Sequence, residues 1–154
     1  MSYQIESRTL TAQATVVIRA SIPAAQLPAW LAGTYDQVQR FLTDHGIRAE
    51  GPPFARFAVH ADAVTVEAGY PVLTPVPGSG RVTPSRLPGG PAAVTIHFGN
   101  HDDLGLARQA VADWLKEKNL EAAEPHWEVY YTNPGAQPAP VNWSTEVVTP
   151  YRTG

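Results

Sequence analysis

The sequence contains no cysteine, which excludes disulfide bonds, thiol nucleophiles and cysteine-ligated zinc. Positive charge is also sparse, because 11 Lys and Arg face 14 Asp and Glu and the net charge is -3. No basic run is present that would bind nucleic acid or an anionic membrane surface. No apolar run approaches the roughly 20 residues that cross a bilayer, and the N-terminus has no signal-peptide pattern. The sequence therefore predicts a soluble cytoplasmic protein with no direct nucleic-acid binding and no membrane contact.

Proline and glycine are abundant instead, with 15 and 12 residues, and they separate a series of regular elements. A length of 154 residues with 44% hydrophobic residues suits a single domain over 1–154. Hydrophobic periodicity predicts one helix between Pro28 and Gly46 and another after Asp103. The β-branched and aromatic runs predict strands over residues 13–21, 54–60, 64–71, 81–87, 92–98, 127–132 and 143–149.

The two halves of the chain, about 12–73 and 81–151, repeat the same plan of strand, helix, strand, strand. An offset of 73 and then 79 residues aligns Leu31 with Leu104, Val38 with Val111, Phe41 with Trp114, Phe54 with Trp127, Glu67 with Glu146 and Pro71 with Pro150. Two such modules predict an α+β fold with an antiparallel sheet and both helices on one face. The ligand cleft is then expected between the modules.

The run 125–134, Pro-His-Trp-Glu-Val-Tyr-Tyr-Thr-Asn-Pro, predicts a strand whose side chains alternate between two faces. Trp127 aligns with Phe54, and a large aromatic in both copies indicates a core position under a helix. Glu128 aligns with the small Ala55, so the acid is an addition to the second copy. It is either an exposed strand residue or the anchor of a pocket.

Six motifs occur in order along the chain: Gly-Pro-Pro-Phe-Ala-Arg-Phe at 51–57, Glu-Ala-Gly-Tyr-Pro-Val at 67–72, Leu-Pro-Gly-Gly at 87–90, His-Phe-Gly at 97–99, Trp-Glu-Val-Tyr at 127–130 with Asn133-Pro134, and Trp-Ser-Thr-Glu at 143–146 with Pro150. Over about residues 12–151 the set resembles the GyrI-like small-molecule-binding domain, which is also the effector-binding part of AraC-type and MerR-type multidrug regulators. The resemblance implies a duplicated β-α-β-β fold and an aromatic cleft with an acid that matches Glu128. This chain departs from the family pattern at His101, where members often have an aromatic residue, and at Val148, where many have tyrosine.

The candidate ligand-binding residues are aromatic or polar side chains around the predicted cleft: Glu128, Tyr130, Trp30, Tyr35, Tyr70 and His97. For each of them, packing in the core or sheet is the alternative. No metal is expected, because four residues of extended chain hold His97 and His101 roughly 13 Å apart. No cofactor is expected either, since no phosphate-binding loop is present, and no Ser-His-Asp grouping of a nucleophilic enzyme is found.

Three functions remain open at this point. The first is a stand-alone protein that binds a hydrophobic, cationic or amphipathic small molecule, for sequestration or sensing; no helix-turn-helix precedes the domain to read DNA. The second, implied by hydrolases among stand-alone members of the family, is hydrolysis of electrophilic cyclopropane-bearing compounds. Glu128 would then be catalytic, as a general acid or base whose pKa an apolar cleft raises. The third is a protein-interaction module of the gyrase-inhibitor kind.

Overall fold

The computed structural model describes residues 3–123, 125–132, 139 and 143–152. The chain divides into two compact units: unit 1 comprises Met1–Thr11 and Gly89–Gly154, and unit 2 comprises Ala12–Pro88. Each unit combines antiparallel strands with one α-helix among its described residues. The predicted α+β class with antiparallel sheet structure is therefore confirmed.

The strands are β1 Glu6–Leu10, β2 Gln13–Pro23, β3 Phe54–His60, β4 Ala63–Pro71, β5 Thr83–Leu87, β6 Gly90–Phe98, β7 Glu121–Ala122, β8 Trp127–Tyr130 and β9 Ser144–Arg152. The helices are α1 Leu27–Asp44 and α2 Leu104–Glu117, each following a short 3-10 turn, Ala24–Gln26 or His101–Asp103. Neither helix is long and apolar enough to cross a membrane.

Unit 2 has the strand order β5-β2-β4-β3, with α1 packed on the sheet. Proline in the first turn of α1 suits a position whose N–H needs no partner within the helix. Gly46 follows the helix with a φ of +64°, a left-handed conformation that glycine adopts without strain. The core joins residues of both layers: Val16, Ile18, Val38, Phe41, Leu42, Tyr70, Val72 and Val82.

Unit 1 has the strand order β1-β6-β9-β8, and β7 pairs with the C-terminal end of β9. The side chain of Asn100 accepts a hydrogen bond from the backbone N–H of Asp102 and so caps the turn that leads into α2. The apolar stripe of α2 packs on the sheet in a core made of Ala93, Leu104, Ala107, Val111, Leu115, Val147 and Tyr151.

Strand register confirms the internal duplication. Phe54 of β3 pairs with Gly69 of β4, and the residues 73 and 79 positions later, Trp127 and Val148, pair with each other between β8 and β9. The outer strands come from unexpected parts of the chain. β1, from the N-terminus, pairs with β6 in unit 1, whereas β5, which the sequence places in the second half, pairs with β2 in unit 2.

The glycine of the motif Glu-Ala-Gly-Tyr-Pro is required by the close approach of two backbones. A Cβ atom on Gly69 would lie 1.9 Å from the carbonyl oxygen of Val16 on the neighbouring strand. We therefore expect Gly69→Ala to lower the free energy of unfolding by about 1–3 kcal/mol, the usual effect of overpacking. A matched control is Gly33→Ala on α1, where no atom lies within 4 Å of the added Cβ and helix propensity should add up to ~1 kcal/mol.

Urea denaturation of both glycine variants measures these free energies directly. Similar midpoints for Gly69→Ala and the unaltered protein would show that β2 and β4 can move apart without loss of stability. The glycine would then not be required at this position.

Candidate functional site

Glu128 is fully buried, with a relative exposure of 0%, although it carries a charged side chain. Glutamate is rarely buried unless it is paired, so its partners define the site. Its cross-strand neighbour is Val147, which packs in the α2 core, so Glu128 lies on the sheet face that α2 covers. The prediction that Trp127 lies under the helix was therefore wrong for this unit. Trp127 pairs with Val148 on the opposite face, where it is also buried.

Three polar side chains surround the Glu128 carboxylate. Nε of Arg108, on α2, donates a hydrogen bond of 2.5 Å to Oε2. The hydroxyl of Tyr130 donates one of 3.0 Å to Oε1, as expected for two residues on one face of a strand. Nε2 of His126 lies 3.6 Å from Oε2, which is long for a hydrogen bond. We call Glu128, Arg108, Tyr130 and His126 the carboxylate site.

These neighbours keep Glu128 ionised. Burial by itself raises the pKa of the carboxyl group, but the contacts with His126 and Arg108 and the charges of these residues outweigh burial and lower the pKa to about 2. Of the two, Arg108 is closer. The hypothesis that an apolar cleft raises the pKa of Glu128 was therefore wrong: the carboxylate carries a full negative charge at neutral pH inside the protein.

Aromatic rings flank the carboxylate site. The His101 ring lies 5.4 Å from the ring of Tyr130 and 4.8 Å from that of Trp143, measured between centroids. Burial lowers the pKa of His101, while the charge of Glu128 opposes that shift. His101 stands where family members often have an aromatic residue, and it does contact aromatic rings here.

His97, another candidate, lies buried on β6 and contacts the segment before β1 and the turn before α2. One ring nitrogen, Nε2, lies 2.9 Å from the carbonyl oxygen of Asn100, and the other, Nδ1, lies 2.9 Å from the hydroxyl of Tyr3. Since a carbonyl only accepts, Nε2 carries the proton and Nδ1 accepts from Tyr3. Both nitrogens are thus engaged within the fold, and a role of His97 in ligand binding stays a prediction.

The remaining aromatic candidates belong to unit 2. Tyr35 and Tyr70 contact each other edge-on with 6.0 Å between ring centroids, and the Tyr35 hydroxyl donates to the carbonyl oxygen of Phe54 at 2.8 Å. Trp30 is partly buried against the same core. All three side chains thus make contacts within unit 2, and their predicted role in ligand binding stays a prediction.

Sequence reasoning missed Arg108, although the duplication contained the signal. At the 73-residue offset Arg108 aligns with Tyr35 and Glu128 aligns with Ala55. The copy that contains the acid thus also contains an arginine, on the helix that contacts the strand of the acid. A search for paired differences between the two copies would have found the ion pair.

Two further observations limit the choice of site. Among the described residues, no three His, Asp or Glu side chains are grouped so that they could hold a metal ion. A surface depression of about 620 Å3 in unit 1 is lined by β1, by the residues before it and by β6, among them Ile5, Val94 and Phe98, but Glu128 is not part of the lining. The Asn133-Pro134 part of the fifth motif lies outside the described residues.

Solved structures provide the comparison with known folds. The C-terminal domain of EcmrR superposes with a TM-score of 0.86 at 15% identity, with full coverage of both chains, and this chain spans 59% of the EcmrR chain in a DNA complex. A hydrolase from Listeria innocua gives a TM-score of 0.63 at 12% identity, with 98% of this chain and 93% of that one covered. SAV2435 bound to tetraphenylphosphonium gives 0.58 at 11%, with 99% and 94% covered. The TM-scores show that these proteins share a fold, and at identities this low the comparison shows the fold alone.

A comparison with curated proteins finds no match. The family model of the GyrI-like small-molecule-binding domain, in contrast, matches residues 3–152. That match covers both units and both copies of the duplicated plan. The chain is therefore a member of the GyrI-like small-molecule-binding domain family.

Proposed function

We propose that the protein binds a hydrophobic organic cation, or an amphipathic compound with a cationic group, at the carboxylate of Glu128. The observation that carries this proposal is a fully buried glutamate that stays ionised. A charge held away from water interacts with an opposite charge far more strongly than a surface charge does. A cation that reaches Glu128 therefore gains an interaction that water does not offer.

The surroundings of Glu128 suit a cation with apolar groups. Tyr130, His101 and Trp143 present aromatic rings near the acid, and the faces of Tyr and Trp rings attract cations. SAV2435, which shares the fold, binds tetraphenylphosphonium, a cation wrapped in four phenyl groups. We propose a ligand of that chemical class here, and sequestration or sensing as its purpose.

The proposal is tested by Glu128→Gln, which removes the charge and keeps the shape of the side chain. We expect the affinity for tetraphenylphosphonium, measured by isothermal titration calorimetry, to fall by about 10- to 100-fold, because the cation loses its attraction to the buried carboxylate. The affinity for triphenylphosphine oxide, which is neutral, should change much less. Glu146→Gln is the matched control, because Glu146 is an acid of the same unit that pairs with Arg8.

Equal losses for the cation and the neutral compound would mean that Glu128 acts through shape rather than charge. Absence of tetraphenylphosphonium binding to the unaltered protein and to every variant would reject this ligand class.

The hydrolase alternative requires Glu128 to have a pKa suited to proton transfer. A general acid must hold a proton near neutral pH, and a general base is most effective when its pKa lies near the working pH. With a pKa of about 2, Glu128 is poorly suited to either role. Binding is accordingly the function that the site supports better, although the Listeria innocua hydrolase has the same fold. Among the described residues, no feature favours the protein-interaction alternative over binding.

A further inference from the structure

The carboxylate that would bind the ligand already holds a cation supplied by the protein. The guanidinium of Arg108 donates to Oε2 of Glu128 at 2.5 Å and so lies against the charge that would attract a cationic ligand. While Arg108 stays there, it neutralises much of the charge of Glu128 and repels a second cation. A cationic ligand therefore gains the full attraction of Glu128 only if Arg108 moves away.

The two partners differ in their access to water. The side chain of Glu128 is 1% exposed, whereas that of Arg108 is 44% exposed. Arginine has a long flexible stem, and its charged head is well solvated once it turns outward. Arg108 can therefore leave the pair at modest cost, whereas Glu128 lies on a strand that pairs with β9 and cannot follow it.

The duplication shows that this fold does not require the pair. In unit 2 the equivalent positions are Tyr35 and Ala55, and α1 packs on its sheet without an ion pair there. The arginine and the acid occur together in one copy and are absent together from the other. An arginine that only held the helix on the sheet would be needed in both.

We infer that Arg108 is a built-in competitor for the ligand's cation: it occupies Glu128 in the free protein and must be displaced when a ligand binds. This inference rests on the proposed function. In the absence of ligand, Arg108 keeps a buried charge paired, which avoids the large cost of an unpaired one. Arg108 also sets specificity, because a compound binds only if its charge and apolar surface together outweigh the guanidinium contact.

The direct test is Arg108→Met, which keeps the length of the apolar stem and removes the charge. At pH 8, chosen so that Glu128 stays ionised without Arg108, we expect tetraphenylphosphonium to bind about 10-fold or more tightly to this variant, since the ligand no longer competes with the guanidinium. Arg8→Met is the matched control, because Arg8 pairs with exposed or partly exposed acids away from Glu128, and its affinity should be unchanged. In the double variant Arg108→Met with Glu128→Gln the gain should disappear.

A second measurement uses the unaltered protein and so does not depend on the folding of a variant. The Nε–H proton of Arg108 is identified in a proton–nitrogen NMR spectrum by its loss in Arg108→Met. We expect this signal to be sharp and protected from water in the free protein. On saturation with tetraphenylphosphonium it should move to the position of a solvated arginine and exchange with water.

The outcomes separate the two claims. Cation binding that depends on Glu128 but is equal or weaker in Arg108→Met, or an Nε–H signal that stays unchanged at saturation, would overturn the inference and make Arg108 a positioning residue of the site. Binding by Arg108→Met alone would support both claims. If no variant binds the cation, the proposed function fails, and the role of Arg108 fails with it.

Discussion

Replacing Trp127 by alanine is expected to lower the free energy of unfolding by about 3–5 kcal/mol, the usual loss for a buried tryptophan. Trp127 is 4% exposed and begins β8, where it lies opposite Val148, which is also buried. The position aligns with Phe54 in unit 2, which is 1% exposed. Both copies of the plan thus fill this position with a large buried aromatic side chain, and alanine would leave a cavity.

Trp114→Ala provides the matched control for Trp127→Ala. Trp114 lies on α2, is only partly buried, and contacts Tyr151 edge-on and the ammonium of Lys118 at 5.7 Å from its ring centre. Removing it should cost clearly less. Urea denaturation of the two variants side by side gives the comparison. A loss for Trp127→Ala no larger than that for Trp114→Ala would mean that the interior of unit 1 closes over the missing ring.

The duplication made most of the fold predictable. Once the offsets of 73 and 79 were recognised, the helix positions and the order of β2, β3 and β4 in one copy implied those of β6, β8 and β9 in the other. β1 was not predicted because its sequence, Glu-Ser-Arg-Thr-Leu, is mostly polar and exposed. It forms by pairing with β6, whose residues lie 80 or more positions later, and contacts so distant in sequence leave no local pattern.

The candidate site was predicted in part. The alternation in β8 singled out Glu128 and Tyr130, and the structure joins them through a hydrogen bond. The same alternation did not show which face α2 covers, because Trp127 and Glu128 are both buried and each face looks like a core. Alternation of apolar and polar residues identifies the core face of a strand only when the other face is exposed to water. Here both faces of β8 are buried at Trp127 and Glu128.

The ion pair between Glu128 and Arg108 changes what removal of the acid should do to stability. At neutral pH we expect Glu128→Gln to lower the free energy of unfolding by about 3 kcal/mol. This figure corresponds to the fall in the pKa of Glu128 from 4.5 in a free chain to about 2 in the folded protein. It applies almost undiminished because the side chain is 1% exposed and water screens it little.

The double variant Glu128→Gln with Arg108→Met is the control for this loss. Removing both partners leaves no unpaired charge, so the double variant should be more stable than Glu128→Gln alone. A double variant that is less stable than either single one would instead assign the loss to packing.

The effect on stability should also depend on pH, with a definite sign. Because folding lowers the pKa of Glu128, its contribution to stability is fully present above pH 4.5 and is lost as the pH falls through about 2. The difference between the unaltered protein and Glu128→Gln should thus stay constant from pH 7 to pH 5.5 and shrink to roughly 1.4 kcal/mol at pH 3. Urea denaturation at pH 7, 5.5, 4 and 3 measures it. Parallel curves at all four values would show that Glu128 has the same pKa in the folded and unfolded chain, and would remove the buried, ionised carboxylate on which the proposed cation site depends.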